Sequence, residues 1–138
     1  MATTAEAGPR LIALALPGIP ESVPIARWHV RAALGLHGLG EYAEDAEIST
    51  SELVTNAVQH VCDSATTTIR VTLTHAGSPA AVTVAVSDSS PQGPVRRTTP
   101  AGSEQGRGLR IVEALAAHWG WRRERGGKAV FAVLARQA

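Results

Sequence analysis

The sequence predicts a single α+β domain, in which helices pack on an antiparallel or mixed sheet. Two stretches with alternating apolar and polar residues, 66–74 and 81–88, indicate half-buried strands. Two other stretches, 41–61 and 108–119, carry apolar residues at helical spacing. The chain has 138 residues, the usual length of one domain.

The first third of the chain is predicted to hold a tail, a strand and a helix. Residues 1–9 have the composition of a disordered tail, so the domain is expected to occupy residues 10–138. Residues 11–16 are predicted to form a strand that ends in the turn-forming segment PGIPES. Ser22 is a candidate N-cap for a helix that ends near Leu36, among three glycines.

The last third is predicted to hold a long loop, a helix and a hairpin. Residues 89–107 are rich in Ser, Pro, Gly, Thr and Arg and show no periodicity. Loops of this length in compact domains are usually functional or disordered. After the helix at 108–119, residues 119–125 and 128–135 flank Gly126-Gly127, a two-residue connection that favours a β-hairpin.

Composition excludes several classes of protein. Hydrophobic residues make up 44% and charged residues 18% of the chain, as in ordinary globular domains. A single cysteine, Cys62, cannot form an internal disulfide and fits a reducing compartment. No apolar run reaches the roughly 18 residues of a membrane span. We therefore expect a cytoplasmic protein that does not enter membranes.

Charge is unevenly distributed along the chain. The chain from Arg96 onward contains nine Arg or Lys residues and three acidic residues, whereas residues 1–95 contain four Arg and nine acidic residues. The basic third could bind a ligand or a partner. Alternatively, both regions could be solvated surfaces whose opposite net charges offset each other. The arginines are spread over a loop, a helix and a hairpin without a known nucleic-acid-binding signature, so no direct nucleic-acid binding is expected.

The segment SELVTNAVQH combines an apolar and a polar stripe on the helix predicted to run from about Glu41 to about Val61. One side of the helix carries Leu53, Val54, Ala57, Val58 and Val61. The opposite side carries Glu52, Asn56, Gln59 and His60. Because Glu52 and Asn56 are one turn apart, both can reach one ligand. A carboxylate beside an amide oxygen suits Mg²⁺, or a general base next to a metal ligand. A solvent-facing helix shows the same pattern.

Two further features could belong to the same site. Asp88 shares the parity of the buried-face valines of its strand, so its carboxylate should point to the core and need donors such as the amino group of adenine. Alternatively, Asp88 turns into the loop and caps its backbone. The segment GSEQGRGLRIV places glycines before a helix, where free N–H groups can bind phosphate. It is neither G-x-G-x-x-G nor a P-loop, and simple flexibility is the other interpretation.

Taken in this order, these features resemble the ATP-binding domain of the histidine kinase, gyrase and Hsp90 superfamily. The chain is most similar to the small anti-sigma factor serine kinases and their single-domain bacterial relatives. The resemblance covers nearly the whole chain, from LPGIPESVPIAR to GGKAVFAVL, and its specific parts are ELVTNAVQH and GRGLRIV. It implies a Bergerat-type fold, a two-layer sandwich with a mixed, mostly antiparallel sheet covered on one face by helices.

The resemblance also implies roles for individual residues. Glu52 corresponds to the general base that activates the hydroxyl or water attacking the γ-phosphate of ATP. Asn56 corresponds to the ligand of the Mg²⁺ that bridges the phosphates, and Asp88 to the acceptor of the adenine amino group. The loop at about 89–107 corresponds to the mobile lid over the nucleotide. Gly106, Arg107, Gly108 and Leu109 correspond to the end of this lid and the start of the phosphate-binding helix.

The implied activity is that of a serine/threonine-protein kinase in transcription regulation. Such a kinase binds a sigma factor, transfers the γ-phosphate to an anti-anti-sigma partner, and is often a homodimer. The chain departs from the family pattern at three positions. Ser90 and Gln92 replace the glycines of D-x-G-x-G, and Ala129 replaces a Thr that often follows Gly-Lys. The alternative is therefore a catalytically weak or inactive member that acts as an interaction module.

Overall fold

The protein is described by a computed structural model that covers residues 8–61, 65–77, 80–89 and 104–135, without the side chains of 104–108. The strands and helices, in chain order, are β1 (Arg10–Pro17), α1 (Ser22–Leu36), a 3₁₀ turn (Gly40–Tyr42), α2 (Ala43–His60), β2 (Thr68–Gly77), β3 (Ala80–Asp88), α3 (Glu104–Leu115), β4 (His118–Glu124) and β5 (Gly127–Ala135). Most of the predicted tail and of the predicted lid loop lies outside the described residues.

The strands form one five-stranded sheet in the order β1-β2-β3-β5-β4. All four strand pairings are antiparallel. Helix α2 packs on β3, β5 and β2, while α1 packs on β1 and on α2. The two-layer α+β architecture predicted from the sequence is confirmed. No helix in the described part of the chain is long and apolar enough to cross a membrane.

The core lies between the helices and one face of the sheet. Val71, Val86 and Val130 are direct cross-strand neighbours on β2, β3 and β5, and all three are buried. Helix α2 meets this row with four residues of its predicted apolar stripe, Leu53, Val54, Ala57 and Val58, all of which are buried. The fifth, Val61, is the C-cap residue of α2 and is only half-buried. The periodicity of 2 in the strands and of 3.6 in the helix therefore identified the core correctly.

The start of α1 differs from the prediction. Glu21 occupies the N-cap position and makes no side-chain cap hydrogen bond, whereas Ser22 is already helical. The Ser22 hydroxyl donates instead to the Pro17 carbonyl oxygen, at 2.6 Å. A buried hydroxyl needs a partner, and this one finds it at the end of β1. Ser22 therefore ties the helix to the preceding strand and does not cap it.

The last helix and the hairpin are shifted relative to the prediction. Helix α3 begins at Glu104, so the final residues of the predicted loop are helical, and it ends at Leu115. The Ala117 N–H already donates to the Val133 carbonyl oxygen of β5, at 2.9 Å, which ends the helix. Gly127 pairs with Glu124, so the two-residue turn is formed one position earlier than predicted, and Gly126 has φ of 84°.

Candidate functional site

The polar stripe of α2 lies beside its buried stripe. Glu52, Asn56 and His60 follow one another at four-residue intervals and are half-buried, whereas Gln59 is exposed. At a rise of about 1.5 Å per residue, the stripe from Glu52 to His60 is roughly 12 Å long. These side chains therefore lie along the edge between the core and solvent, where a ligand could meet all three.

Glu52 has an altered acidity. Partial burial of its side chain raises the pKa of the carboxyl group, because desolvation disfavours the charged form. A carboxylate with a raised pKa accepts protons more readily near neutral pH. The position that the sequence predicts as a general base therefore has a physical property that suits one.

Asn56 carries a buried acceptor atom without a donor. Its Oδ1 has no hydrogen-bond partner among the described residues. An unsatisfied buried acceptor costs stability, on the order of 1–3 kcal/mol, so the position favours an incoming cation or donor. Amide oxygens are hard ligands that suit Mg²⁺, which usually takes one or two protein ligands together with phosphates and waters. The donor set thus fits the predicted Mg²⁺.

The described residues hold no group of three or more His, Cys, Asp or Glu side chains that could bind a metal ion. A metal cage built from protein side chains alone is therefore not found in this part of the chain. A Mg²⁺ at Asn56 would need a ligand that brings its own oxygens, such as the phosphates of a nucleotide.

Asp88 belongs to a buried cluster with Lys128 and His60. The Lys128 ammonium donates to both carboxylate oxygens of Asp88, at 2.9 Å to Oδ1 and 2.8 Å to Oδ2. It also lies 2.6 Å from His60 Nδ1, which must accept, because an ammonium group has no lone pair. Lys128 is completely buried, and the Asp88 side chain is only 1% exposed. The cluster links the end of α2 to the sheet.

The strand register builds this cluster. Asp88, the last residue of β3, lies directly opposite Lys128, the second residue of β5. Residues directly opposite in a sheet point to the same face, and here that face is the one covered by the helices. Gly127 sits against the backbone of Asp88, since a Cβ added there would be 1.8 Å from the Asp88 carbonyl oxygen. Only a glycine permits this approach.

The sequence placed Asp88 correctly on the core side but missed its partners. Lys128 was not recognised, although it shares the parity of the buried Val130 and Ala132 and faces Asp88. His60 was left without a role. The predicted donor to Asp88 was adenine, whereas the structure supplies a protein ammonium group. The alternative, a cap on the following loop, concerns residues that lie mostly outside the described part of the chain.

The departures from the family pattern have different locations. Ser90 and Gln92 lie outside the described residues. Ala129 pairs with Ser87 and Arg122 and, by strand alternation, points to the outer face of the sheet. The residue on Asp88's face is Lys128. Ala129 therefore does not lie on the face of the sheet that carries the Asp88 side chain.

The glycine-rich segment lies within α3 and not before it. Gly106, Arg107 and Gly108 fall in the first turns of the helix, which begins at Glu104. Leu109 is buried, and α3 packs on α2. The described backbone thus brings the predicted phosphate-binding segment next to the helix that carries Glu52 and Asn56.

A groove of about 410 Å³ lies at the turn end of the sheet, and Asp88 and Gly127 contribute to its lining. Four arginines contribute to its lining: Arg10, Arg70, Arg122 and Arg125. Glu124 also lines it, and accepts from Ser87 Oγ at 2.8 Å and from Arg122 Nη2 at 3.2 Å. Two of the arginines come from the acidic part of the chain, so charge counts along the sequence do not describe this surface.

Helix α2, which carries Glu52 and Asn56, packs on an antiparallel sheet in which Asp88 ends a strand. A comparison with protein families identifies the domain: the histidine kinase-like ATPase domain matches residues 16–134. The chain belongs to this family. The match runs from the end of β1 to the end of β5, so it includes the whole candidate site.

Among solved structures, the chain is similar to the crystal structure of the RsbU and RsbW domains of Rv1364c from Mycobacterium tuberculosis. The TM-score is 0.64 at 23% sequence identity, and the similarity covers 92% of this chain. The chain spans 34% of that longer protein. At this identity the likeness supports the fold. No curated protein matches the sequence.

Proposed function

We propose that this protein is an ATP-dependent serine/threonine-protein kinase of the anti-sigma factor type. In this proposal it binds Mg-ATP along the polar stripe of α2 and transfers the γ-phosphate to an anti-anti-sigma partner. Membership of the histidine kinase-like ATPase family supports ATP as the nucleotide. The fold shared with a chain that contains an RsbW domain supports a regulatory setting.

The observation that carries the proposal is the pairing of Glu52 with Asn56 one helical turn away. One offers a carboxylate whose pKa is raised by burial, and the other an amide oxygen that is buried without a donor. A solvated helix face explains neither property, since exposed side chains are satisfied by water. A ligand that brings a cation and a reacting hydroxyl group would make use of both properties.

The two residues would divide the work of phosphoryl transfer. Glu52 would take the proton from the hydroxyl group of the acceptor serine or threonine as that oxygen attacks the γ-phosphate. Asn56 would hold Mg²⁺, which, when bound, neutralises charge on the phosphates. Phosphoryl transfer depends mainly on such positioning and charge neutralisation. The segment around Gly106, Arg107, Gly108 and Leu109 would close over the phosphates.

The partners follow from the same proposal. An anti-sigma factor kinase binds a sigma factor in one state and phosphorylates the antagonist of that complex in another. A homodimer is the expected assembly. The basic charge of the C-terminal third would then serve protein contacts or nucleotide binding, and not nucleic acid.

Calorimetry with Mg-ATP, followed by a phosphate-transfer assay, tests the proposal. The wild-type protein should bind Mg-ATP and label a candidate anti-anti-sigma protein with phosphate from γ-labelled ATP. Glu52→Gln should retain nucleotide binding but lower transfer by about 10²–10⁴-fold, the usual effect of losing a general base. Thr55→Ala, an exposed change on the same helix, is the matched control. No binding at millimolar Mg-ATP would exclude the kinase.

A second candidate function is an interaction module that keeps the fold without the chemistry. The ion pair between Asp88 and Lys128 favours it, because the carboxylate predicted to bind adenine is already occupied. In that case the wild-type protein would bind its protein partner with the same affinity whether or not ATP is present. Partner binding that depends on Mg-ATP would favour the kinase.

A further inference from the structure

The carboxylate that the proposed function assigns to adenine recognition is bound by a cation of the protein itself. Lys128 Nζ contacts Asp88 Oδ1, Asp88 Oδ2 and His60 Nδ1, at 2.9, 2.8 and 2.6 Å. An ammonium group has three N–H donors. All three are therefore used inside the protein, and the buried charge of Lys128 is fully compensated without a ligand.

The same pair is closed to solvent. Lys128 is 0% exposed and the Asp88 side chain 1% exposed. A nucleobase therefore cannot bring a donor to either oxygen of Asp88 in this conformation unless the lysine side chain moves. The four-carbon stem of lysine is flexible, so the movement requires no change of the sheet.

Adenine and Lys128 offer the same chemistry to Asp88, namely N–H donors, and the charged donor forms the stronger hydrogen bond. We propose that Lys128 is an intramolecular competitor for the base-recognition carboxylate and thereby sets the affinity of the site for adenine nucleotides. The inference rests on the proposed function, because it takes Asp88 as the group that recognises the base. Lys128 is then a specificity-determining residue of the nucleotide site.

Competition of this kind has a quantitative consequence. The apparent affinity for the nucleotide equals the intrinsic affinity multiplied by the fraction of molecules in which Asp88 is not paired with Lys128. Nucleotide binding and the ion pair exclude each other, so removing the ammonium group should tighten binding. His60 helps to keep the Lys128 ammonium group at Asp88, because its Nδ1 accepts the third N–H of that group.

Calorimetry on Lys128→Thr tests the inference. Threonine removes the ammonium group and most of the side-chain length, while its hydroxyl group and β-branched shape suit a strand facing Asp88. Mg-ATP should bind this variant at least tenfold more tightly than wild type, equivalent to about 1.4 kcal/mol. Arg123→Thr, which removes an exposed cation from the neighbouring position on β4, should leave the affinity unchanged.

A measurement on the wild-type protein covers the case in which the variant does not fold. The ¹⁵N resonance of Lys128 Nζ reports directly on the ammonium group. Saturating Mg-ATP should shift this resonance, whereas tripolyphosphate, which has no base, should leave it unchanged. An unchanged resonance at saturation would overturn the inference.

The outcomes separate the two proposals. If the wild-type protein and Lys128→Thr bind Mg-ATP equally well, or if neither binds, Lys128 is not a competitor. If wild type binds and transfers phosphate while the variant shows no gain, the proposed function stands and the inference fails. If only Lys128→Thr binds, the inference stands and the native chain is not an ATP-dependent kinase.

Discussion

Lys128 and Asp88 lie directly opposite each other on β5 and β3, and their side chains form an ion pair at 2.8 Å that is sealed from solvent. Burial of a lysine is rare unless it is paired. The pair closes the end of the sheet beneath the polar stripe of α2, through the contact with His60. Both the stability of the fold and the state of the candidate site therefore depend on it.

The first prediction concerns the free energy of unfolding. Lys128→Met leaves Asp88 as a buried charge without its main partner and should destabilise the protein by about 3–5 kcal/mol. The double variant Asp88→Asn with Lys128→Met removes both charges and should recover at least half of that loss. Urea unfolding measures both. A double variant that is no more stable than Lys128→Met would contradict the coupling of the two charges.

A control for charge is available in the same region. Arg123 lies opposite Lys128 on β4 and is exposed. Arg123→Met should change the free energy of unfolding by no more than about 0.5 kcal/mol, as surface substitutions usually do. A large effect there would assign the result for Lys128→Met to net charge and not to the ion pair.

The second prediction is the pH dependence of Glu52→Gln. Burial raises the pKa of Glu52 in the folded state, so the folded chain binds this proton more strongly than the unfolded chain. The charged carboxylate therefore costs stability above the folded-state pKa, and this cost disappears below the unfolded-state pKa. Glu52→Gln should melt above wild type at about pH 7, and the difference should shrink as the pH falls to about 4.

Thermal melting across this pH range, without nucleotide, is the measurement. Glu47→Gln removes another acid from α2 and controls for the loss of a negative charge. The same gain in both variants at neutral pH would mean that net charge, and not burial of Glu52, is responsible.

The third prediction concerns Asn56. Its buried Oδ1 has no donor among the described residues, so Asn56→Ala removes an unsatisfied group. We expect a free energy of unfolding equal to that of wild type or higher by up to about 1 kcal/mol. Magnesium should no longer increase ATP affinity in this variant. Thr55→Ala, exposed on the same helix, measures the gain from helix propensity alone.

A loss of stability in Asn56→Ala, set against the gain expected for Thr55→Ala, would show that the amide has a structural partner. Unchanged magnesium dependence of ATP binding, measured by calorimetry with and without the ion, would remove Asn56 as the metal ligand. The two readouts are independent, so each tests a separate property of the residue.

The fourth prediction concerns Gly127. A methyl group at this position would overlap the Asp88 carbonyl oxygen, at 1.8 Å, so the two strands must move apart. Gly127→Ala should destabilise the protein by about 2 kcal/mol or more, in the upper range of single substitutions. Gly77→Ala, at the end of β2, meets no atom of the described residues within 4 Å and should cost far less. Equal unfolding midpoints in urea for the two variants would contradict the predicted clash.

The fold was predictable because its signals are local. Alternation in β2 and β3 and the apolar stripe of α2 each follow from a few adjacent residues. The boundaries that were wrong depend on specific hydrogen bonds that apolar spacing and residue type do not report. Apolar spacing continues to Trp119, but hydrogen bonding of Ala117 to Val133 ends α3 before it. Ser22 has the side chain of an N-cap, yet Pro17 offers it a buried acceptor.

The candidate site was predictable in its residues and not in its connections. Glu52 and Asn56 follow from helical spacing, and the core-facing side of Asp88 follows from strand parity. The sequence does not state that β5 lies beside β3, and this neighbour relation brings Lys128 to Asp88. Asp88 and Lys128 are 40 positions apart in the sequence, so predicting their contact requires knowledge of the sheet order.

Each turn of helix α2 supplies side chains both to the core and to the candidate site. Leu53 and Ala57 fix it to the sheet, while their neighbours Glu52 and Asn56 stand at the candidate site. A small rotation of this helix would displace both stripes together. Random mutagenesis that selects for altered nucleotide binding should therefore recover changes in the α2 core as well as changes in the polar stripe.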